Sequence, residues 1–426
     1  MQLKPALGPV ELFFYATGVI IGAGVYSVIG AAAGLAQSKL WLSFLIGAVI
    51  AFLTALSYAE MATSFPVAGG EYVYARNALP RAKWLSFSLG VIVVIGGAAT
   101  AATVAVAFGG YLATLTDAPI LLSAIAVLAL CTALAVLGIT ESSWANIVLT
   151  SVEIIGLLLV IAVGFAFSPE AATSAVVSSA QPEVLSAAAV LFFVYLGFEE
   201  VANLAEETRN PSRDIPRALF WALGATTVLY ILVGVAVLRL APPEQLASSD
   251  APLATALHNA WPGGTPWLAA IALFATANTV LITLIAAARA VFSMGRDREL
   301  PSLFGLISKR HTPWVASLLV FAIAALLLPI ADIQILAGLS SFSALLAFLA
   351  VNLALIVLRY VEPQRPRPFR VPFNLGRLPV LPVAAIASIV FLLGHFDRAV
   401  YLGGALAIAA SALLFVVRHH LPRLSR

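Results

Sequence analysis

Runs of roughly 20 apolar residues, parted by short segments that carry nearly all the charge, repeat from one end of this sequence to the other. As a helix, a run of that length covers a hydrocarbon core of ~30 Å. Twelve are expected as spans: 9–35, 40–65, 82–114, 119–138, 145–168, 184–208, 215–241, 265–292, 313–330, 333–360, 376–394 and 398–418. Two are interrupted. GVIIGAGVY, residues 18–26, sets three glycines inside the first, and FFVYLGFEE, residues 192–200, sets a glycine and two carboxylates inside the sixth. An unpaired N–H or C=O in hydrocarbon costs several kcal/mol, so backbone leaves the helix there only where it faces a cavity, another helix or a ligand. Two such breaks, each in the first span of a half of the chain, predict a substrate site near the midplane and hence a transporter.

Composition supports the membrane assignment. Of 426 residues, 62% are hydrophobic and 10% charged, against roughly 25% charged in soluble domains. An all-α polytopic membrane protein with no sizeable soluble domain is expected. The start, MQLKPALGPVELFFYATG, enters the first span without a small-residue cleavage site and reads as uncleaved. The single cysteine, Cys131, lies in an apolar span and has no intrachain disulfide partner. With a cytoplasmic N-terminus, 20 of the 23 Lys and Arg fall on the cytoplasmic side, leaving only Lys39, Arg239 and Arg398 outside. This bias places both termini in the cytoplasm of a cell (cytoplasmic or inner) membrane. The net charge of +3 therefore reports orientation, and no nucleic-acid partner is expected.

Because the second break lies five spans on from the first, an odd step, the first span runs outward and the sixth inward. Residues 9–168 (spans 1–5) and 184–360 (spans 6–10) are expected as two units of opposite topology in a single transport domain. Residues 376–418 would add spans 11 and 12 outside that repeat.

At the first break, Gly18, Gly22 and Gly24 let the chain leave helical geometry. Unwinding at Ile21–Gly24 would present the free N–H groups and positive dipole end of the next half-helix to an anion such as a carboxylate. The carbonyls ending the preceding half-helix would accept from an ammonium, so one break offers complementary ends to a zwitterion. Close helix packing accounts for the same glycines equally well, since Gly18-xxx-Gly22 and Gly30-xxx-Gly34 both fit small-xxx-small contacts. At the second break, Gly197 sits among Phe193, Tyr195 and Phe198, which can form an apolar lid over a ligand. Glu199 and Glu200 follow, and adjacent carboxylates inside an apolar span need water, a partner or a cavity. Together these features favour a functional second break over simple packing.

Glu153, about nine residues into the fifth span, is either paired, protonated through desolvation, or used in ion or proton coupling. Glu60, Glu206 and Glu207 lie near cytoplasmic span ends, where interfacial pairing with nearby arginines is expected. The five histidines (258, 311, 395, 419 and 420) form no metal cluster by position, and no nucleotide loop, nucleophile elbow or paired-His motif occurs. Neither an ATP-driven pump nor a hydrolytic enzyme is expected, and no cofactor.

Four segments in order resemble the amino acid–polyamine–organocation (APC) permeases: GVIIGAGVY; FPVAGGEYVYAR (65–76, with Pro66, Gly69, Gly70, Tyr72 and Tyr74); FFVYLGFEEVANLAEETRNPSRDIPRAL (192–219); and ATANTVLITLIAAARAVFSMGRDRELP (275–301). The resemblance covers essentially the whole chain. It implies a LeuT-type five-plus-five inverted repeat and alternating access. By it, the Gly22, Ala23 and Gly24 amides hold a substrate carboxylate, and carbonyls around Ile20–Ile21 and Val194–Tyr195 take the amino group. Phe193 occludes the site, while Gly197 and Phe198 shape the side-chain pocket.

Two positions depart from the family pattern. Many proton-coupled or sodium-independent relatives carry a lysine where this chain has Glu153, so Glu153 is expected to carry a proton, bind a cation or favour a cationic substrate. Also, RNALPRAKWLSFSLG lacks the glycine-rich entry expected at the third span. The reading is a secondary amino acid transporter, with proton coupling preferred to exchange and to sodium. An amine or polyamine carrier, drawing on Glu153, Glu199 and Glu200, is the alternative within transport. A membrane sensor or accessory subunit is the alternative outside it.

Overall fold

The computed structural model describes residues 8–65, 70–78, 83–138, 143–167, 182–205 and 208–420. Pro66, Gly69, Glu206, Glu207 and residues 168–181 lie outside the described residues. The first span is two helices, α1 (Pro9–Ile21) and α2 (Gly24–Ala36). There follow α3 (Leu40–Ser64), the short α4 (Gly70–Ala78), α5 (Lys83–Ala113), α6 (Ile120–Leu137) and α7 (Ser143–Ala166). The sixth span is α8 (Val184–Leu191), a 3-10 turn over Phe192–Tyr195, and α9 (Glu200–Asn203). Beyond it lie α10 (Pro211–Leu240), α11 (Pro243–Ala247), α12 (Pro252–Ala260), α13 (Thr265–Arg296), α14 (Trp314–Leu327), α15 (Ile333–Val361), α16 (Val380–Leu393) and α17 (Arg398–His420). Among the described residues, nine helical segments are long and apolar enough to cross a membrane, with shorter apolar helices at Pro9–Ile21, Trp314–Ile330 and Val380–Leu393. The chain is an all-α polytopic membrane protein.

Local chemistry sets several boundaries. α10 begins at 211, four residues before the expected start, because Pro211 takes the first helical position, where no N–H is needed. α6 stops at Gly138, which adopts φ +79°. Asp332 caps α15, accepting from the Ile335 amide at 3.1 Å. The connection 241–265, between the expected seventh and eighth spans, contains the short helices α11 and α12. The expected start of span 11, at 376, falls in a two-stranded hairpin, Asn374–Leu375 against Leu378–Pro379, and helix begins only at Val380.

Small residues allow the helices to meet closely. A Cβ at Gly30 would lie 2.4 Å from the Leu246 carbonyl, and one at Gly110 would lie 2.1 Å from that of Asp250. α11 and the segment leading into α12 thus sit directly on α2 and α5. Without water to hide between helices, such contacts replace the hydrophobic effect as the packing force.

Candidate functional site

The first span stops being helical at one residue. The Gly22 amide still donates to the Gly18 carbonyl at 2.9 Å. Its own backbone then turns to φ +33°, ψ −144°, a conformation an L side chain rarely adopts. A Cβ there would also lie 2.9 Å from Thr279 Oγ1 on α13. The Ala23 amide, opened by the break, donates to that same oxygen at 2.9 Å. Ser27 closes the other side of the turn, its hydroxyl donating to the Ala23 carbonyl at 2.7 Å. Helix resumes at Gly24, so the break falls at the expected Ile21–Gly24.

The sixth span tightens before it breaks. After the 3-10 turn, Gly197 takes φ +108°, and its amide donates to the Glu199 carboxylate at 2.8 Å. Glu199 is therefore engaged by the break it follows. Glu200, partly buried, opens α9.

The two breaks touch. A Cβ on Gly24 would stand 3.0 Å from Val194 Cα, and one on Gly197 would stand 2.6 Å from Val19 Cγ1 and 2.8 Å from its carbonyl oxygen. Tyr230 on α10 joins them, its hydroxyl lying 2.7 Å from the Ile20 carbonyl oxygen and 3.0 Å from that of Val194. An intact helix would have offered each carbonyl the amide four residues on.

Ile20, Ile21, Ala23, Phe193, Val194, Tyr195 and Phe198 are all buried. Two aromatics of the second break point to different neighbours. The Tyr195 ring lies against Gly47 and its hydroxyl donates to the Phe44 carbonyl at 2.9 Å, both on α3. Phe198 packs on Tyr58 and Phe348, with ring centroids 5.5 and 5.0 Å away. The Tyr58 hydroxyl in turn donates to Glu71 of α4 at 2.7 Å.

Glu153 is buried in α7. Its backbone carbonyl accepts from the Tyr26 hydroxyl at 2.8 Å, and the Tyr26 carbonyl accepts from Tyr111 at 2.9 Å. That chain of tyrosines ties Glu153's turn of helix to α2, just beyond the first break.

Glu60 departs from expectation in part. It pairs with arginines as expected, but it is buried and those arginines are remote in sequence. Arg359 Nε and Arg367 Nε each donate to Oε1 at 3.0 Å, from 299 and 307 residues along the chain. Arg359 reaches Oε2 as well, and the Val371 amide donates there at 2.7 Å. The reason is that the end of α15 and the segment after it fold across α3. Sequence reasoning also missed Thr279 and Tyr230. The polar run Thr276-Ala277-Asn278-Thr279 inside an apolar span was a usable signal for the first; nothing local marks the second.

A family model described as "Amino acid permease" matches residues 7–411. The chain belongs to the amino acid permease family. Similar members include the "Branched-chain amino acid permease BcaP" of Bacillus subtilis, 31% identical over 92% of this chain and 88% of that protein. An uncharacterized transporter of Mycobacterium tuberculosis is 33% identical over 86% of this chain and 83% of its own length. "Cationic amino acid transporter 4, vacuolar" of Arabidopsis thaliana is 32% identical over 85% of this chain and 64% of its own. This permease is thus a multi-pass membrane transporter, and its two contacting breaks lie within the matched region.

Proposed function

We propose that this permease is a secondary transporter that holds one amino acid between its two breaks and moves it by alternating access. The observation that carries this reading is the convergence of the Ile20 and Val194 carbonyls on a single hydroxyl. Two acceptors near enough to share the one proton of Tyr230 are near enough to share an ammonium, which brings three. The Gly22, Ala23 and Gly24 amides supply the complementary end for the carboxylate. For that, the carboxylate must compete with Thr279 for the Ala23 amide. Phe193 closes over the substrate, and Gly197 and Phe198 bound the side-chain pocket.

The surroundings of Phe193 and Phe198 suit a neutral, apolar side chain, in keeping with the name of the Bacillus subtilis relative. A cationic side chain is the second reading, suggested by the Arabidopsis relative and by the buried Glu153. An amine lacking the carboxylate fits less well, since it leaves the first-break amides without an anion and Glu199 is already engaged by Gly197. Spans 1–5 and 6–10 would act as the two inverted halves, with both termini cytoplasmic, and Glu153 would carry the coupling proton.

The test is counterflow in proteoliposomes loaded with mixed amino acids or, separately, mixed amines, at two pH values, in wild type and Glu153→Gln. Amino acid counterflow supports the paired-end site, and a pH response lost in Glu153→Gln supports proton coupling. Counterflow of amines alone would overturn the carboxylate assignment. Failure of both pools in folded protein would favour a sensor or accessory role.

A further inference from the structure

Where α3 and α10 run side by side, the membrane-facing surface carries a groove of about 420 Å³ lined by Val49, Phe52, Leu53, Leu56 and Phe220. Helical spacing aligns its walls. Val49, Phe52, Leu53 and Leu56 follow one stripe of α3, and Phe220 and Gly224 follow one stripe of α10. Gly224 helps to open the groove, because a Cβ there would meet only Phe52 Cζ, at 3.9 Å. The same α10 stripe continues through Arg217 and Arg213 toward the helix start. Both arginines are exposed, and among the described residues neither has an ion-pair partner. The adjacent acid, Asp214, is buried on the other side of the helix. At the groove's arginine end Phe369 packs on Phe220, with ring centroids 6.1 Å apart, and the next residue, Arg370, is exposed.

An apolar slot ending in exposed arginines at the membrane interface matches a molecule with an apolar tail and an anionic head. The partial positive charge of the α10 start adds to the arginines, so an anion there relieves two unfavourable fields together. A general excess of positive charge on one side of the membrane explains arginines at helix ends. It does not explain a groove in register with them. We propose that this surface is a binding site for an anionic diacyl phospholipid, one acyl chain lying between α3 and α10 and the headgroup phosphate held by Arg213 and Arg217.

The test is native mass spectrometry of the full chain in detergent, offered equal amounts of phosphatidylglycerol and phosphatidylcholine with matched acyl chains. Preferential retention of phosphatidylglycerol is expected. The double variant Arg213→Gln/Arg217→Gln should lose about five-fold of that preference per arginine, the equivalent of ~1 kcal/mol each. Arg213→Lys/Arg217→Lys should keep most of it. Gly224→Leu, which fills the groove from the lipid side, should lower retention of both lipids while leaving their ratio unchanged. Equal retention of the two lipids by wild type would overturn the proposal, as would wild-type retention in both the Gln and Leu variants. Full displacement of the lipid by glycerol phosphate at matched concentration would also overturn it, since the groove would then contribute nothing.

Discussion

The Tyr230 hydroxyl donates to the Ile20 carbonyl at 2.7 Å, so a side chain of the seventh span caps the end of the helix that the first break leaves open. The same hydroxyl lies 3.0 Å from the Val194 carbonyl, which the second break leaves open. Tyr230→Phe would bury two carbonyls without this donor, at a cost of ~1–3 kcal/mol. A lower unfolding midpoint is therefore expected. If the substrate ammonium takes over these carbonyls, added substrate should raise the midpoint more in the variant than in wild type. Thermal unfolding with and without substrate reads both effects. Equal substrate-induced shifts would separate Tyr230 from the substrate site.

Gly24 faces backbone, and backbone cannot step aside as a flexible side chain can. A Cβ there would come within 3.0 Å of Val194 Cα and 3.4 Å of its Cβ. Gly24→Val should therefore push the two breaks apart and abolish substrate binding, with Gly24→Ala weakening it to a lesser degree. Equilibrium binding of radiolabelled amino acid to purified protein checks this. Wild-type affinity in Gly24→Val would remove the first break from the site.

The positions of both breaks were legible in the sequence because only backbone conformation was at stake. Glycine permits a change of dihedral inside an apolar span, and Gly22 and Gly197 take it with positive φ, whereas Gly18, Gly24, Gly30 and Gly34 stay helical. The spans were legible too, since hydrophobic length is a local property. What holds the breaks was not. Thr279 lies 256 residues from Ala23, and Tyr230 lies 210 from Ile20. Pairings of that range depend on how helices rotate about their axes, which hydrophobic runs do not encode when every face is apolar. Glu60 misled for a related reason. Its place near a span end suggested pairing with arginines close in sequence, but a segment from the far end of the chain covers it.

That segment makes Glu60 a strong test of stability. With Glu60→Ala, the Arg359 guanidinium remains buried and Arg367 nearly so, their shared counter-charge gone. Removing one member of a buried ionic group typically costs ~3–5 kcal/mol, more than the group contributes over an apolar replacement. A large fall in unfolding midpoint is expected for Glu60→Ala. The double variant Glu60→Ala/Arg359→Met should recover part of it, because one stranded charge is removed along with the acid. Thermal unfolding of the single and double variants decides the matter. An unaltered midpoint in Glu60→Ala would mean that the arginines find water or another anion.

Glu71 links pH to the aromatic layer beneath the second break. It accepts from Tyr58, whose ring packs on Phe198 of that break. Burial pushes the Glu71 carboxyl above its ordinary value of 4.5. The bond from Tyr58 and local backbone pull the other way, and the nearby Glu200 pushes it up again. With a folded-state value above the unfolded one, the folded chain binds the extra proton. Stability from this group is then fully present below the ordinary value and is lost as pH rises through the raised one. Glu71→Gln keeps an acceptor for Tyr58 but cannot ionise. The variant should therefore gain on wild type as pH rises above 4.5, and the gap should level off once Glu71 is fully ionised. Unfolding midpoints measured across a pH series give the comparison. Parallel curves for the two proteins would show that Glu71 does not titrate between the folded and unfolded states, whereas convergence at low pH assigns it the proton.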